Sequence, residues 1–287
     1  MIRTLRREDW FGQDGFPLAV ERRDPQEPFG LHKHEFSEVV IITGGTGLHI
    51  TDEDSWELQK GDAFVIGEDR IHDYHNMANL RLINILFDQE LLARDPKDLS
   101  LLSGYHALFC LEPNWRQRHQ FSSHLTLSPR ELTAAVEIVD RLDRELVNRT
   151  PGYKCLATAF FQQLVVHLSR CYGSSQHESS RSLLRIAEAI SYIEQHYSED
   201  IQLEVLTEIA GMSRRSFMRA FEEATGSTPI AYLIQLRLSR SAELLWATDK
   251  SVTEIAFEVG FNDSNYFSRQ FRKRFNVSPR EYRNNRF

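Results

Sequence analysis

The sequence predicts an α+β protein whose strands and helices are segregated along the chain. Three observations carry this. Residues 17–90 form short apolar–polar alternations broken by turn signals, which is strand patterning. From Ser128 onward the apolar spacing switches to three and four, which is helical. Between Leu206 and Arg283 one helical unit occurs twice, at an offset of 50 residues.

The 287 residues are comfortable for two domains. With 41% hydrophobic and 26% charged residues, a globular chain is expected. No run of 18 apolar residues occurs, so no membrane partner is expected. Met1–Phe11 holds Arg3, Arg6 and Arg7 but no apolar run behind them, unlike a secretory leader. Cys110, Cys155 and Cys171 stand at no metal or disulfide-framework spacing. A reduced, cytoplasmic protein is the expectation.

In the first half, Glu38–Ile42 is a β-branched run that Thr43-Gly44-Gly45 is expected to end. Leu48–Thr51 alternates, and Asp52–Ser55 reads as a turn. Trp56–Leu58 resumes the alternation. Lys60-Gly61-Asp62 turns again before Ala63–Ile66, and Arg81–Phe87 is one more strand. Strands this short and this evenly spaced indicate a small barrel or sandwich, taken as residues 1–127.

Ser128-Pro129-Arg130-Glu131 is a helix start, with a capping Ser, Pro at the first helical position and Glu three residues after the cap. Leu132, Val136, Val139, Leu142 and Leu146 form its apolar stripe. A second helix over Tyr153–Tyr172 offers Leu156, Phe160, Leu164 and Leu168. Residues 128–172 are therefore a helical hairpin. It either covers the barrel or pairs two copies of the chain, and a homodimer is the sharper expectation. Residues 173–182, small and polar, read as a linker, and 183–287 as an all-α domain.

In that domain Phe217, Arg219, Phe221, Pro229 and Tyr232 recur as Phe267, Arg269, Phe271, Pro279 and Tyr282. Gly211 and Gly260 are only 49 apart, so the second unit has one extra residue in its turn. Each unit has helix-turn-helix logic. Gly211 permits a positive φ and Ser213 can cap the next helix; Gly260 and Asp263 do the same in the second unit. The phenylalanines pin each second helix inward. Arg214, Arg215 and Arg219 in one unit, and Ser264, Asn265, Arg269 and Arg272 in the other, are left to face outward. Arg suits a bidentate contact to guanine and Asn one to adenine. The net charge of −7 does not oppose this, because the acidity is N-terminal. Residues 181–287 carry 15 basic against 14 acidic groups, and Arg269–Phe287 carries seven against one.

The stretch GFNDSNYFSRQFRKRFNVSPREYR, Gly260–Arg283, resembles the signature of the AraC/XylS family of transcription regulators. The resemblance implies two recognition helices joined by a long helix, about Pro229–Ala247, entering successive major grooves of promoter DNA. It also implies base contacts at Arg215 and Arg219 and at Asp263 and Asn265, activation rather than repression, and contact with RNA polymerase.

The first half resembles a cupin. His32, His34 and Glu38 match its first motif; Gly61, His72 and Asn76 match its second, although Gly67 and Asp69 replace the usual Pro and Gly. The resemblance makes His32, His34, Glu38 and His72 candidate ligands for a divalent metal. The same residues with Tyr74, and Trp56 or Phe64 as an aromatic wall, could instead hold a small polyol directly. Pro28–Phe87, with Arg70–His75 reading RIHDYH, is similar to the rhamnose-operon regulators of the family. L-rhamnose, a related deoxysugar or a pentose is thereby the expected effector. The alternative is a metal-dependent cupin enzyme fused to a DNA-binding module. No separate nucleophile or general base is evident, so no enzymatic activity is expected.

Overall fold

The computed structural model describes residues 2–51, 55–93, 96–112, 125–174 and 178–284. The expected turn at Asp52–Ser55 falls largely outside them. The chain divides into two compact units, Met1–Ala187 and Glu188–Phe287.

The first unit is built on an eight-stranded sheet in the order β1-β3-β7-β4-β6-β8, with β2 added to β7 and β5 to β4. The strands are β1 (Arg3–Leu5), β2 (Leu18–Arg23), β3 (His32–His34), β4 (Ser37–Thr51), β5 (Ser55–Gln59), β6 (Asp62–Ile66), β7 (His72–Phe87) and β8 (Leu125–Thr126). The long antiparallel pair of β4 and β7 organises the sheet. One half of β4, Glu38–Ile41, pairs with β6; the other, Thr46–Ile50, pairs with β5. Between them the β4–β7 register shifts three times, and such bulges bend a strand. Gly44-Gly45 therefore does not end the strand as expected; it bends it. Gly45 has φ +72°, and a Cβ there would lie 2.0 Å from the Asn79 carbonyl oxygen. The bend brings side chains of β4, β5, β6 and β7 into one core of Val40, Ile42, Trp56, Leu58, Phe64, Ile66, Tyr74, Leu80 and Leu82.

Two long helices follow, α1 (Pro129–Asn148) and α2 (Tyr153–Gly173). Ser128 and Glu131 form the expected reciprocal capping box. The buried face of α1 is Leu132, Ala135, Ile138, Val139 and Leu142; that of α2 includes Ala157, Phe161, Leu164, Val165 and Leu168. Leu132, Val139, Leu142, Leu164 and Leu168 are buried as the periodicity required. Val136, Leu146 and Phe160 are only half-buried, and Leu156 is 48% exposed. Small Ala157 takes the close-contact position instead. Asp14 ties the chain start to α2 by accepting from the Tyr153 hydroxyl and pairing with Lys154 at 3.2 Å.

Helix α3 (Glu178–His196) starts inside the stretch read as linker, and the boundary between the units falls within it. The second unit continues with α4 (Leu203–Ala210), α5 (Arg214–Thr225), α6 (Pro229–Ala247), α7 (Val252–Glu258), α8 (Ser264–Phe275) and α9 (Pro279–Asn284). Helix α6 spans the residues expected of the joining helix. The end of α3 is fastened to it twice. Glu194 pairs with Arg240 at 3.3 Å and accepts from the Tyr232 hydroxyl. Arg237 donates to the carbonyls of Tyr197 and Glu199 at 2.6 and 2.7 Å. No helix among the described residues is long and apolar enough to cross a membrane.

Candidate functional site

In the first unit the bent sheet leaves a narrow cleft. His32, Glu38, His72 and Tyr74, four of the expected ligand residues, line it. His34 lies behind them, fully buried. Trp56 and Phe64 are not in the wall. They pack on His49 at ring distances of 4.3 and 5.0 Å, deeper in the core. The aromatic lining comes from Trp10, Phe29 and Phe36. Glu21, Arg23, Gln26 and Asn84 add polar groups that sequence reasoning did not single out.

Topology assembles this site. The parallel pairing of β1 with β3 sets Arg3 beside His32 and Leu5 beside His34, and β3 meets β7 at His32 and His72. The His32 and His72 rings lie 4.2 Å apart. Each of His32, His34 and His72 turns Nδ1 to a carbonyl, of Gly30 (2.8 Å), Phe36 and Arg70 (3.2 Å) respectively. A carbonyl only accepts, so each Nδ1 carries a proton. In neutral His32 and His72 this leaves Nε2 as an acceptor. Burial lowers the pKa of both, that of His72 to about 3.

His34 Nε2 lies 3.2 Å from Glu38 Oε2. Burial raises the Glu38 pKa, but the His34 contact outweighs it, and the net shift is downward. Glu38 is thus an ionised carboxylate at neutral pH. Donor atoms of His34, Glu38 and His72 lie within 4.8 Å of one another, a mixed nitrogen–oxygen set suited to a transition-metal ion. His32 falls outside that trio.

In the second unit two helix–turn–helix pairs, α4–α5 and α7–α8, use the same devices. Gly211 has φ +59° and Gly260 φ +94°. The Ser213 side chain accepts from Ser216 N, and Asp263 accepts from Asn265 N at 2.7 Å. One residue separates Gly211 from its cap Ser213 and two separate Gly260 from its cap Asp263, so the extra residue sits in the turn. Phe217, Phe221, Phe267 and Phe271 are fully buried. Their helices therefore present Arg214, Arg215, Arg219, Asn265, Arg269 and Arg272 to solvent. Ser264 is half-buried. The Asp263 carboxylate is engaged as a cap, and Arg219 reaches only a 3.8 Å pairing with Glu223 while its side chain stays 78% exposed.

These two units have recognisable relatives. An AraC-like ligand binding domain matches residues 17–148, and a helix-turn-helix domain matches residues 206–285. The chain is 32% identical over 283 residues to the HTH-type transcriptional activator RhaS of Enterobacter sp. (strain 638), spanning 99% of this chain and 98% of that protein. It is 32% identical over 278 residues to the RhaS of Escherichia fergusonii, spanning 97% and 96%. Among solved structures, the DNA-binding domain of AdpA in complex with a target DNA is 36% identical; it covers 35% of this chain and 90% of that one, with a TM-score of 0.34. Similarity over nearly the whole length, with both domains in order, makes the chain a member of the AraC family of DNA-binding transcription activators, its AraC-like ligand-binding domain preceding its helix-turn-helix domain.

Proposed function

We propose that this activator is controlled by a small neutral sugar, L-rhamnose or a related deoxysugar or pentose, held in the cleft of the first unit. The acceptor-rich lining carries this reading. His32 Nε2, His72 Nε2 and the Glu38 carboxylate accept hydrogen bonds, and a polyol supplies donors in matching number. Trp10, Phe29 and Phe36 supply apolar wall for the ring face. The similarity of RIHDYH, Arg70–His75, to rhamnose-operon regulators supports the choice of sugar. The unit senses and does not catalyse.

On this reading the chain acts in the cytoplasm as a homodimer on a promoter. Val147 (74% exposed) and Leu156 (48%) leave apolar surface at one end of the hairpin for a second copy. Arg215, Arg219, Asn265 and Arg269 contact bases or phosphates; Arg214 and Ser264 flank them, and Asp263 acts by fixing the start of α8. The second helix-turn-helix contacts RNA polymerase. The sugar raises activity by binding one arrangement of the protein better than another.

A second reading adds a divalent metal to the cleft, favoured by the proximity of His34, Glu38 and His72. Those three residues would hold it, with His32 at the margin, and it would supply a Lewis-acidic centre for sugar hydroxyls. Thermal melting against pentoses, deoxysugars and divalent metals, with and without EDTA, separates the readings. A binder raises the melting temperature by mass action. A sugar-specific rise that survives EDTA is expected, and a rise that needs metal would make these residues its ligands. A stoichiometric redox-active metal in protein purified without added metal would revive the enzyme alternative, and no response to any sugar would remove the sensing claim.

A further inference from the structure

The inner face of β7 contains a polar residue where its pattern calls for an apolar one. Leu80, Leu82 and Leu86 occupy the inward positions and are 0%, 1% and 3% exposed. Asn84 stands between Leu82 and Leu86 on the same face and lines the cleft. Its Oδ1 is buried and has no hydrogen-bond partner among the described residues. A buried acceptor without a donor is a cost that native proteins keep where it serves a purpose.

Its neighbours explain the purpose. In register, Asn84 faces Glu21 on β2 and Val40 on β4. Glu38, one inward position from Val40, pairs with Leu86. Glu21, Asn84 and Glu38 therefore form a skewed polar row across three adjacent strands on the cleft floor, Glu21 directly opposite Asn84 and Glu38 one diagonal step from it. Glu21 is held by Arg23 at 3.5 Å, and Glu38 by His34. Asn84 is the member of the row whose acceptor no side chain engages.

We infer that Asn84 is a ligand-binding residue: its Oδ1 accepts a hydrogen bond from a hydroxyl of a neutral sugar. This rests on the sugar-sensing reading of the cleft and adds a specificity element to it. A site built around an unpaired polar group discriminates strongly against ligands that cannot satisfy it.

The test is calorimetric titration of the full chain with L-rhamnose and neutral pentoses, for wild type, Asn84→Ala and Asn84→Leu. The wild type is expected to bind a neutral sugar. Asn84→Ala adds no bulk, so its affinity should fall at least about tenfold through loss of the acceptor. Asn84→Leu completes the apolar row, so its melting temperature without sugar should stay level or rise while binding is lost. A purely structural Asn84 would do the opposite, lowering the melting temperature and sparing affinity. If wild type binds a neutral sugar and Asn84→Ala binds it within about twofold, the role of Asn84 is refuted and the sensing reading stands. If wild type binds no sugar, the sensing reading itself fails.

Discussion

The two units place their functional side chains in opposite ways. In the first, His32, His34, Glu38 and His72 are all at most 7% exposed and sit inside a bent sheet. In the second, the side chains proposed to meet DNA stand in solvent, and what is buried is the phenylalanine pair that orients their helix. The difference follows from the partner. A small ligand must be enclosed, so its contacts are desolvated polar groups brought together by distant strands. A duplex is larger than the domain, so its contacts must project from a rigid helix. A change to a buried anchor in the second unit should therefore remove function with stability, whereas a change to a projecting arginine should remove function alone.

The largest effect should come from an anchor. Phe267→Ala empties a fully buried position between Phe261 and Phe271 and should cost about 3–5 kcal/mol. Binding to specific and random DNA should both fall, with an earlier melting transition, while sugar binding by the first unit persists. Intact DNA binding in gel-shift assays would overturn the anchor role. Arg219→Ala and Asn265→Ala should leave melting unchanged and cost about 1–3 kcal/mol of discrimination between operator and random DNA. Equal losses on both DNAs would make them phosphate contacts.

The same contrast explains what could be read from the sequence. The second unit was legible because its signals are local: a cap, a turn glycine, phenylalanines four apart, and all of it repeated. The first unit was legible only where one short stretch carries several site residues, as His32–Glu38 does. Trp56 and Phe64 were expected in the cleft wall because alternation shows that a side chain points inward, but not how deep it lies. Glu21 and Asn84 become neighbours only when β2 pairs with β7, about sixty positions along the chain, and neither belongs to a motif. In the hairpin, a row of residues four apart drifts about 40° round the helix per step, so Leu156 leaves the buried face that Leu164 and Leu168 share. Its exposure is what leaves an apolar end for a second copy. Val147→Asp with Leu156→Asp should shift the protein towards monomer in sedimentation at unchanged melting temperature, since neither side chain is buried within one chain.

The smallest expected effect concerns the tie between the chain start and the hairpin, and it is a matter of pH. The hydrogen bond from Tyr153, assisted by Lys154, lowers the Asp14 pKa from near 3.8 to about 2. A carboxyl whose pKa is depressed by folding stabilises the folded state above its unfolded value, and that contribution is lost as pH falls through the folded value. The tie should therefore be fully present above about pH 4 and fade between there and pH 2. Asp14 is solvent-accessible, so screening keeps the effect small. Comparing wild type with Asp14→Asn isolates it from the other carboxylates, which titrate equally in both. The wild type should melt slightly later at pH 5, and the gap should close towards pH 2. A gap constant across that range would mean that the packing of Phe16 and Tyr153, whose rings meet edge-on at 5.7 Å, holds the segment without the carboxylate.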